Sequence, residues 1–244
     1  MRNIHIIVAY RGTHYAGWQR QPNGVTVEEK LREAIHSITG EWTTIYGSGR
    51  TDAGVHAHGQ SANFHTDASI PPERFALAMN TKLPEDIRVM SSREVPEDFH
   101  SRFDARGKRY LYQLYLDKIA DPFISDYAWQ IERPLDMAAM ERAAACFEGI
   151  HDFAGFMAAG SAVKDTVRTI HSIEFTKDDK LLTLAFTGNG FLYNMVRIIT
   201  GTLVAVGLGK IGAGAIPEII ASKRREAAGI TAPARGLFLD EVFY

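Results

Sequence analysis

The side chains best equipped for chemistry gather in one loop. In GSGRTDAGVHAHG, residues 47 to 59, Asp52 stands among small residues and glycines, with Arg50 two places before it and His56 and His58 just after. An aspartate so placed has three uses. It can close a turn between two strands by bonding its own backbone. It can join His56 and His58, two apart at the start of a strand and so able to share a face, as a metal ligand. Or it can stand on a loop carried by a rigid scaffold and act as a nucleophile or base.

For the third use the chain supplies a partner. Arg197 is the only charge in the apolar run FLYNMVRIITGTLVAVG, residues 191 to 207. A guanidinium cannot neutralise itself, so a buried one needs an acid or a route to water. Arg197 therefore snorkels to solvent, meets a structural acid elsewhere, or meets Asp52. In the last case the ion pair keeps Asp52 ionised against the desolvation that would protonate it. Tyr110 and Tyr112, in RYLYQLY, alternate with Arg109, Leu111 and Gln113 on a strand. Core packing is one use for such a face, and a flat ring that stacks on an unpaired base is the other.

Other chemistries find less support. GLGKIG, residues 207 to 212, has the glycine spacing of a dinucleotide-binding turn but follows a helix pattern, so it reads as a helix C-terminus. The lone Cys146 lies in a helical run, with only Arg142 near it in sequence to activate it. No G-x-S-x-G elbow or phosphate-binding loop occurs. No cofactor and no metal is expected.

These residues must be positioned by a repeated rhythm of elements. NIHIIVAY is a strand; Thr26 and Glu29 form a capping box for a helix whose stripe is Val27, Leu31, Ala34, Ile35 and Ile38, closed by Gly40. WTTIYG and HGQSANFHT are strands on either side of the Asp52 loop. Pro71 and Pro72 open a second helix through ERFALAMNT, and DIRVMSSREV is a fourth strand. The second half repeats the order: KRYLYQLYL, a helix DMAAMERAAACFEG capped by Asp136 and ending at Gly149, a hairpin of VRTIHSIEFTK and LLTLAFTG around Asp178 and Asp179, the long apolar helix, and GLFLDEVFY. A short extra helix, IPEIIASKR, precedes the last strand. Twice β-α-β-β-α-β predicts an α+β chain of two ferredoxin-like domains, with mostly antiparallel sheets that join edge to edge or face a central active-site cleft. The domains are expected at residues 1–104 and 105–244, joined by the charged crossover FHSRFDARG.

The bulk composition bounds the partners. At 244 residues and net charge −2 the chain has room for real cores and no overall basic surface. Positive charge is nevertheless clustered, at Arg102, Arg106, Lys108 and Arg109 and again at Lys223, Arg224 and Arg225, and local patches decide how an anion is met. Each cluster reads equally as solvated surface. One cysteine and no signal-like or spanning run favour a cytoplasmic protein with no membrane partner.

Six separated stretches carry a resemblance. GRTDAGVHA, with YRGTHYAGWQRQPN, FHSRFDARGKRYLYQLY, HDFAGFMAAGSAVKDTVRTI, and the pair NGFLYNMVRIITGTLVAVG and APARGLFLDEVFY, is similar in order to the tRNA pseudouridine synthase A family. The resemblance implies an isomerase that converts uridine to pseudouridine in the anticodon stem-loop of tRNA, at tRNA positions 38, 39 and 40. It implies a homodimer of chains built from two ferredoxin-like halves around a cleft, with no cofactor. By motif position Asp52 is the nucleophile, Tyr110 binds the target pyrimidine by stacking and through its hydroxyl, and Arg197 pairs with Asp52. Arg50 assists flipping of the nucleotide, and Leu237 lines the base pocket. Two rival readings remain at this level: a noncatalytic RNA-binding protein using the same cleft, and a metal-dependent hydrolase built on Asp52, His56 and His58.

Overall fold

The structure, a computed structural model, describes residues 1–160 and 163–244. Ser161 and Ala162, inside the HDFAGFMAAGSAVKDTVRTI stretch, lie outside the described residues. The chain is mixed α+β, with mostly antiparallel pairing and five α-helices among the described residues. It divides into two compact units, Met1–Arg106 with Phe238–Tyr244, and Gly107–Leu237.

In the first unit the elements run β1 (Arg2–Tyr10), α1 (Val27–Thr39), β2 (Ile45–Gly47), β3 (His56–Thr66), α2 (Phe75–Asn80) and β4 (Ile87–Val95), the expected β-α-β-β-α-β. β1 is central, antiparallel to β4 on one side and β3 on the other, and β2 pairs antiparallel with the far end of β3. Helix α1 begins where Thr26 Oγ1 accepts the Glu29 N–H at 3.4 Å and stops at Gly40, whose φ of 78° only glycine adopts at low cost. Its stripe of Val27, Leu31, Ala34 and Ile35 is buried together with Ile4, Ile6 and Val8 of β1 and Phe64 of β3.

The opposite face of β1 is buried too, by polar groups. Asn3 donates to the carbonyls of Pro96 and Phe99 and accepts from Asn63, which in turn accepts the Ser101 N–H at 2.9 Å. His5 Nε2 lies 2.7 Å from Ser61 Oγ, which is 2.5 Å from the Tyr244 hydroxyl. The crossover segment, without apolar periodicity, thus covers a polar layer held by backbone, amide and hydroxyl partners, in which the buried Ser101 hydroxyl alone of these groups makes no hydrogen bond.

The second unit holds β5 (Gly107–Tyr115), β6 (Trp129–Gln130), α3 (Met137–Ala145), β7 (Gly149–Asp152), β8 (Val167–Asp178), β9 (Leu181–Gly188), α4 (Met195–Gly207) and α5 (Ile216–Ser222). β7, β8, β9 and β5 pair antiparallel in that order, and the two-residue β6 runs parallel to β5. The hairpin turns at Asp179, with φ 48°, where the two aspartates were expected to turn it. Asp136 caps α3 through the Ala139 N–H.

Three expectations shift. The closing strand, β10 (Leu237–Phe243), was placed with residues 105–244, but all of it beyond Leu237 packs in the first unit. It runs parallel to β3 at Phe238↔His56 and Leu239↔Ala57, and Arg106 N–H donates to the Phe243 carbonyl. Helix α3 stops at Ala145, and Gly149, with φ 98°, opens β7 instead of ending the helix. Helix α4 starts four residues later than its apolar run, because Asn194 adopts a left-handed φ of 59° that no helix interior contains. The GLGKIG stretch is the end of α4, with Gly209 in the positive-φ region (70°), as the reading of it as a C-terminus required.

Candidate active site

The Asp52 loop is built from the strand ends around it. On one side, Ser48 donates to Gln60 Oε1 and Gln60 returns an N–H to the Gly49 carbonyl at 2.8 Å, so buried Gln60 of β3 pins the loop's first residues. Asp52 then opens a turn whose carbonyl accepts the Val55 N–H at 3.1 Å, with Gly54 at φ 77°. The turn-forming use of this aspartate is therefore real for its backbone. Its side chain is partly exposed, and Arg50 is exposed on the same loop.

Residues 10 to 18 form a collar around that loop. The Tyr10 hydroxyl lies 2.7 Å from Thr51 Oγ1, and Trp18 N–H donates to the Thr51 carbonyl at 3.0 Å. Gly54 N–H donates back to the Tyr15 carbonyl at 3.3 Å. Two glycines let the backbones meet. A Cβ on Gly12 would stand 1.9 Å from the Val55 carbonyl oxygen, and one on Gly17 would stand 2.5 Å from the Thr51 oxygen. Gly17 also has φ 95°, outside the range of ordinary side chains. Tyr15 ties the collar down by donating its hydroxyl to Asp86 Oδ1 at 2.7 Å. Burial, followed by the Asp86 carboxylate, raises the affinity of that phenol for its proton, so it stays a donor.

The two histidines behave differently from metal ligands. His56, 1 % exposed, accepts the Gly12 N–H on Nδ1 at 3.0 Å, which leaves the proton of the neutral ring on Nε2. Its ring and that of His58 both stack on Phe238, so they share a face as their spacing required. His58 Nδ1 is 3.0 Å from Asp240 Oδ1. Among the described residues no group of three or more His, Cys, Asp or Glu is arranged to hold a metal ion. His56 serves instead as a bolt between the collar and the root of β3.

The second unit carries the other three residues. Tyr110 is 8 % exposed on β5, and its ring meets Phe191 edge-on at 5.2 Å. Tyr112, on the same face, is wholly buried and donates to the Pro233 carbonyl at 2.8 Å. Burial holds its phenol protonated well above the usual range, against the opposing pull of the Arg197 and Arg235 guanidiniums. Arg197 donates through Nε to the Ala232 carbonyl and through a terminal nitrogen to Asn194 Oδ1, both at 2.7 Å. Its guanidinium is thus oriented by two neutral acceptors, and the Ala232 N–H closes the contact on the Arg197 carbonyl. Leu237 is buried at the start of β10.

Arg50 and Asp52 are therefore joined on one loop, and Tyr110 and Arg197 are joined through the turn 191–194. Phe191 and Asn194, which orient those two side chains, were not singled out from the sequence. Neither was the collar, although two glycines among aromatic residues in YRGTHYAGWQRQPN are the signature of a close backbone approach. Among the described residues, no helix is long and apolar enough to cross a membrane.

Comparison with known proteins bears directly on this arrangement. The family model described as tRNA pseudouridine synthase matches residues 6–104 and 143–244, which include Asp52, Arg197 and Leu237 and omit Tyr110. The tRNA pseudouridine synthase A of Acetivibrio thermocellus is 48 % identical over 244 residues, covering 100 % of both chains. That of Ruminiclostridium cellulolyticum is 46 % identical over 245 residues, again with 100 % of both covered. That of a Geobacter species is 48 % identical over 245 residues, covering 100 % of this chain and 99 % of the relative. With a family match over most of its length and relatives this similar from end to end, the chain belongs to the tRNA pseudouridine synthase family.

Proposed function

We propose that this chain isomerises uridine to pseudouridine in tRNA, at positions 38, 39 and 40 of the anticodon stem-loop. One observation carries the reading: the Asp52 loop is clamped from both sides by backbone contacts, as a carboxylate that must meet a ribose within a fraction of an ångström requires. Family membership supplies the substrate class.

The reaction breaks the bond from N1 of uracil to the ribose, turns the freed base, and joins its carbon 5 to the same sugar carbon. Carbon 5 loses its proton and N1 gains one, so the product is an isomer of uridine, nothing is oxidised, and the chain's own side chains suffice. Asp52 acts either as the nucleophile at the ribose or as the base for a neighbouring ribose proton. Arg197 pairs with it and keeps it ionised. Tyr110 stacks on the target pyrimidine and reaches it through its hydroxyl, and the edge contact with Phe191 supports that role by fixing the ring. Arg50, exposed beside Asp52, assists extrusion of the nucleotide, which costs a few kcal/mol that phosphate contacts offset. Leu237 lines the pocket that keeps the detached uracil from escaping.

The reading extends to architecture. We take residues 1–104 and 105–244 as two ferredoxin-like repeats around a central cleft, the last strand of the second lent to the first unit. The β4-β1-β3-β2 order of the first unit and its β-α-β-β-α-β chain order support this. The chain works as a cytoplasmic homodimer, with the single cysteine suited to a reducing compartment.

Purified protein incubated with unmodified tRNA tests the proposal, with pseudouridine mapped along the product. Conversion confined to the anticodon arm is expected. Tight binding without conversion would establish a noncatalytic RNA-binding protein instead.

A further inference from the structure

The chain between the collar and α1 is exposed throughout, from Gln19 to Val25, yet its base is rigidly organised. Trp18, whose N–H holds the Thr51 carbonyl, gives its own carbonyl to the Glu28 N–H at 3.0 Å. Gly17 accepts from the Val27 N–H at 3.2 Å, and Ala16 N–H donates to the Val25 carbonyl at 2.8 Å. The Gln21 side chain donates back to the Ala16 carbonyl, and Gln21 and Gly24 form a β-bridge. Segment 19–25 is therefore a short tongue, closed on itself and rooted in the same backbone that grips Asp52.

Its most telling support is Glu28. This residue is only 7 % exposed, and its carboxylate accepts from the Gln19 side chain at 2.5 Å and from the Arg20 backbone N–H at 2.9 Å. A charge taken out of water is costly unless several donors satisfy it. Here the donors belong to the tongue, and the result is to fix the backbone at Arg20 while its guanidinium is left exposed. Arg20 is two residues from Trp18, and Arg50 is one residue from Thr51, the two ends of a 3.0 Å hydrogen bond. Two exposed arginines thus lie within two residues of one backbone junction next to Asp52.

A ribose presented to Asp52 carries a phosphate on each side, and Arg50, exposed on the Asp52 loop itself, is available to one of them. We infer that the tongue is a phosphate-binding site for the RNA strand, in which Arg20 grips the phosphodiester on the other side of the target nucleotide. Glu28 is its positioning residue. The inference rests on the reading of Asp52 as the reacting carboxylate. Arginine suits the task because its charge is permanent and its planar fork meets phosphate oxygens in pairs. A chain of net charge −2 must concentrate its grip in such places.

The test is tRNA binding across a salt series, with turnover measured alongside, for wild type, R20A, R20K, E28A, R20A/E28A and D52N. Arg20 is exposed, so R20A leaves the fold intact and carries the test alone. We expect Kd and KM for unmodified tRNA to rise about tenfold in R20A, and the slope of log K against log salt to fall by about one. R20K should restore most of the slope, and the R20A/E28A double variant should bind no worse than the weaker single variant. R20A with wild-type affinity and slope overturns the inference. D52N tells the two readings apart: if it keeps its turnover, the Asp52 assignment fails, whatever the salt series of R20A shows.

Discussion

Replacing Gly17 by alanine would set a methyl group 2.5 Å from the Thr51 carbonyl oxygen, 3.1 Å from the Asp52 carbonyl carbon and 3.2 Å from the Ala53 nitrogen. All three are backbone atoms of the loop, so no side chain can swing aside to make room. The backbone at position 17 would also have to hold φ 95° with a Cβ attached. Left-handed strain of about 1 to 2 kcal/mol and overpacking of about 1 to 3 kcal/mol would fall on this one site if the loop stays in place. The chain has another way out, which is to move residues 51 to 53 away from the collar. A displacement of about 1 Å at a reacting group can cost about a hundredfold in rate. Either stability or catalysis must therefore suffer. Denaturant unfolding gives the first, and single-turnover pseudouridine formation on saturating tRNA gives the second. A G17A protein with unfolding midpoint and rate both at wild-type values would refute the claim that the collar and the Asp52 loop are in backbone contact.

Tyr10→Phe removes the hydroxyl beside Thr51 Oγ1, and we expect a loss of about 1 kcal/mol in unfolding free energy, measured by urea denaturation. A second prediction concerns acid. Burial, helped by Arg93, lowers the His5 pKa from 6.5 to about 4, so the unfolded chain binds the extra proton between those values. Stability contributed by the neutral ring is then full above about pH 6.5 and falls as pH drops toward 4, by no more than about 3 kcal/mol. His5→Gln should flatten that part of the stability–pH curve, and an unchanged slope would count against it. Arg197→Lys keeps the charge but loses the two-point hold on Ala232 and Asn194, so turnover on saturating tRNA should fall at least about tenfold. Wild-type turnover would show that guanidinium geometry is not used.

Elements governed by local rules were legible in the sequence. Thr26 and Gly40 frame α1 through contacts three or four residues away, and Asp178–Asp179 turn a hairpin whose strands are adjacent in sequence. What was not legible depends on contacts across the chain. The last strand pairs with His56 and Ala57, some 180 residues upstream by sequence number, and no periodicity announces such a parallel pairing. The largely apolar stretch from Phe191 reads as one helix with α4, but Asn194 is left-handed, and the partner its side chain accepts from, Arg197, is identified only by the fold. At the site, the residue types of Asp52, Arg50 and the histidines singled out the loop. That His56 is a bolt and not a ligand became visible only with its Gly12 partner in place. For the collar, the two glycines among aromatic residues signal a close backbone approach, but which backbone they approach depends on Thr51 and Val55, far along the chain.

The central claim is that Asp52 performs the chemistry and does not merely shape a turn. Its most direct test is D52N, which keeps the size and the backbone turn while removing the negative charge, measured for tRNA affinity and for pseudouridine formed in a single turnover. Wild-type affinity with no detectable product is the predicted result. Product formed by D52N at a rate near wild type would contradict it.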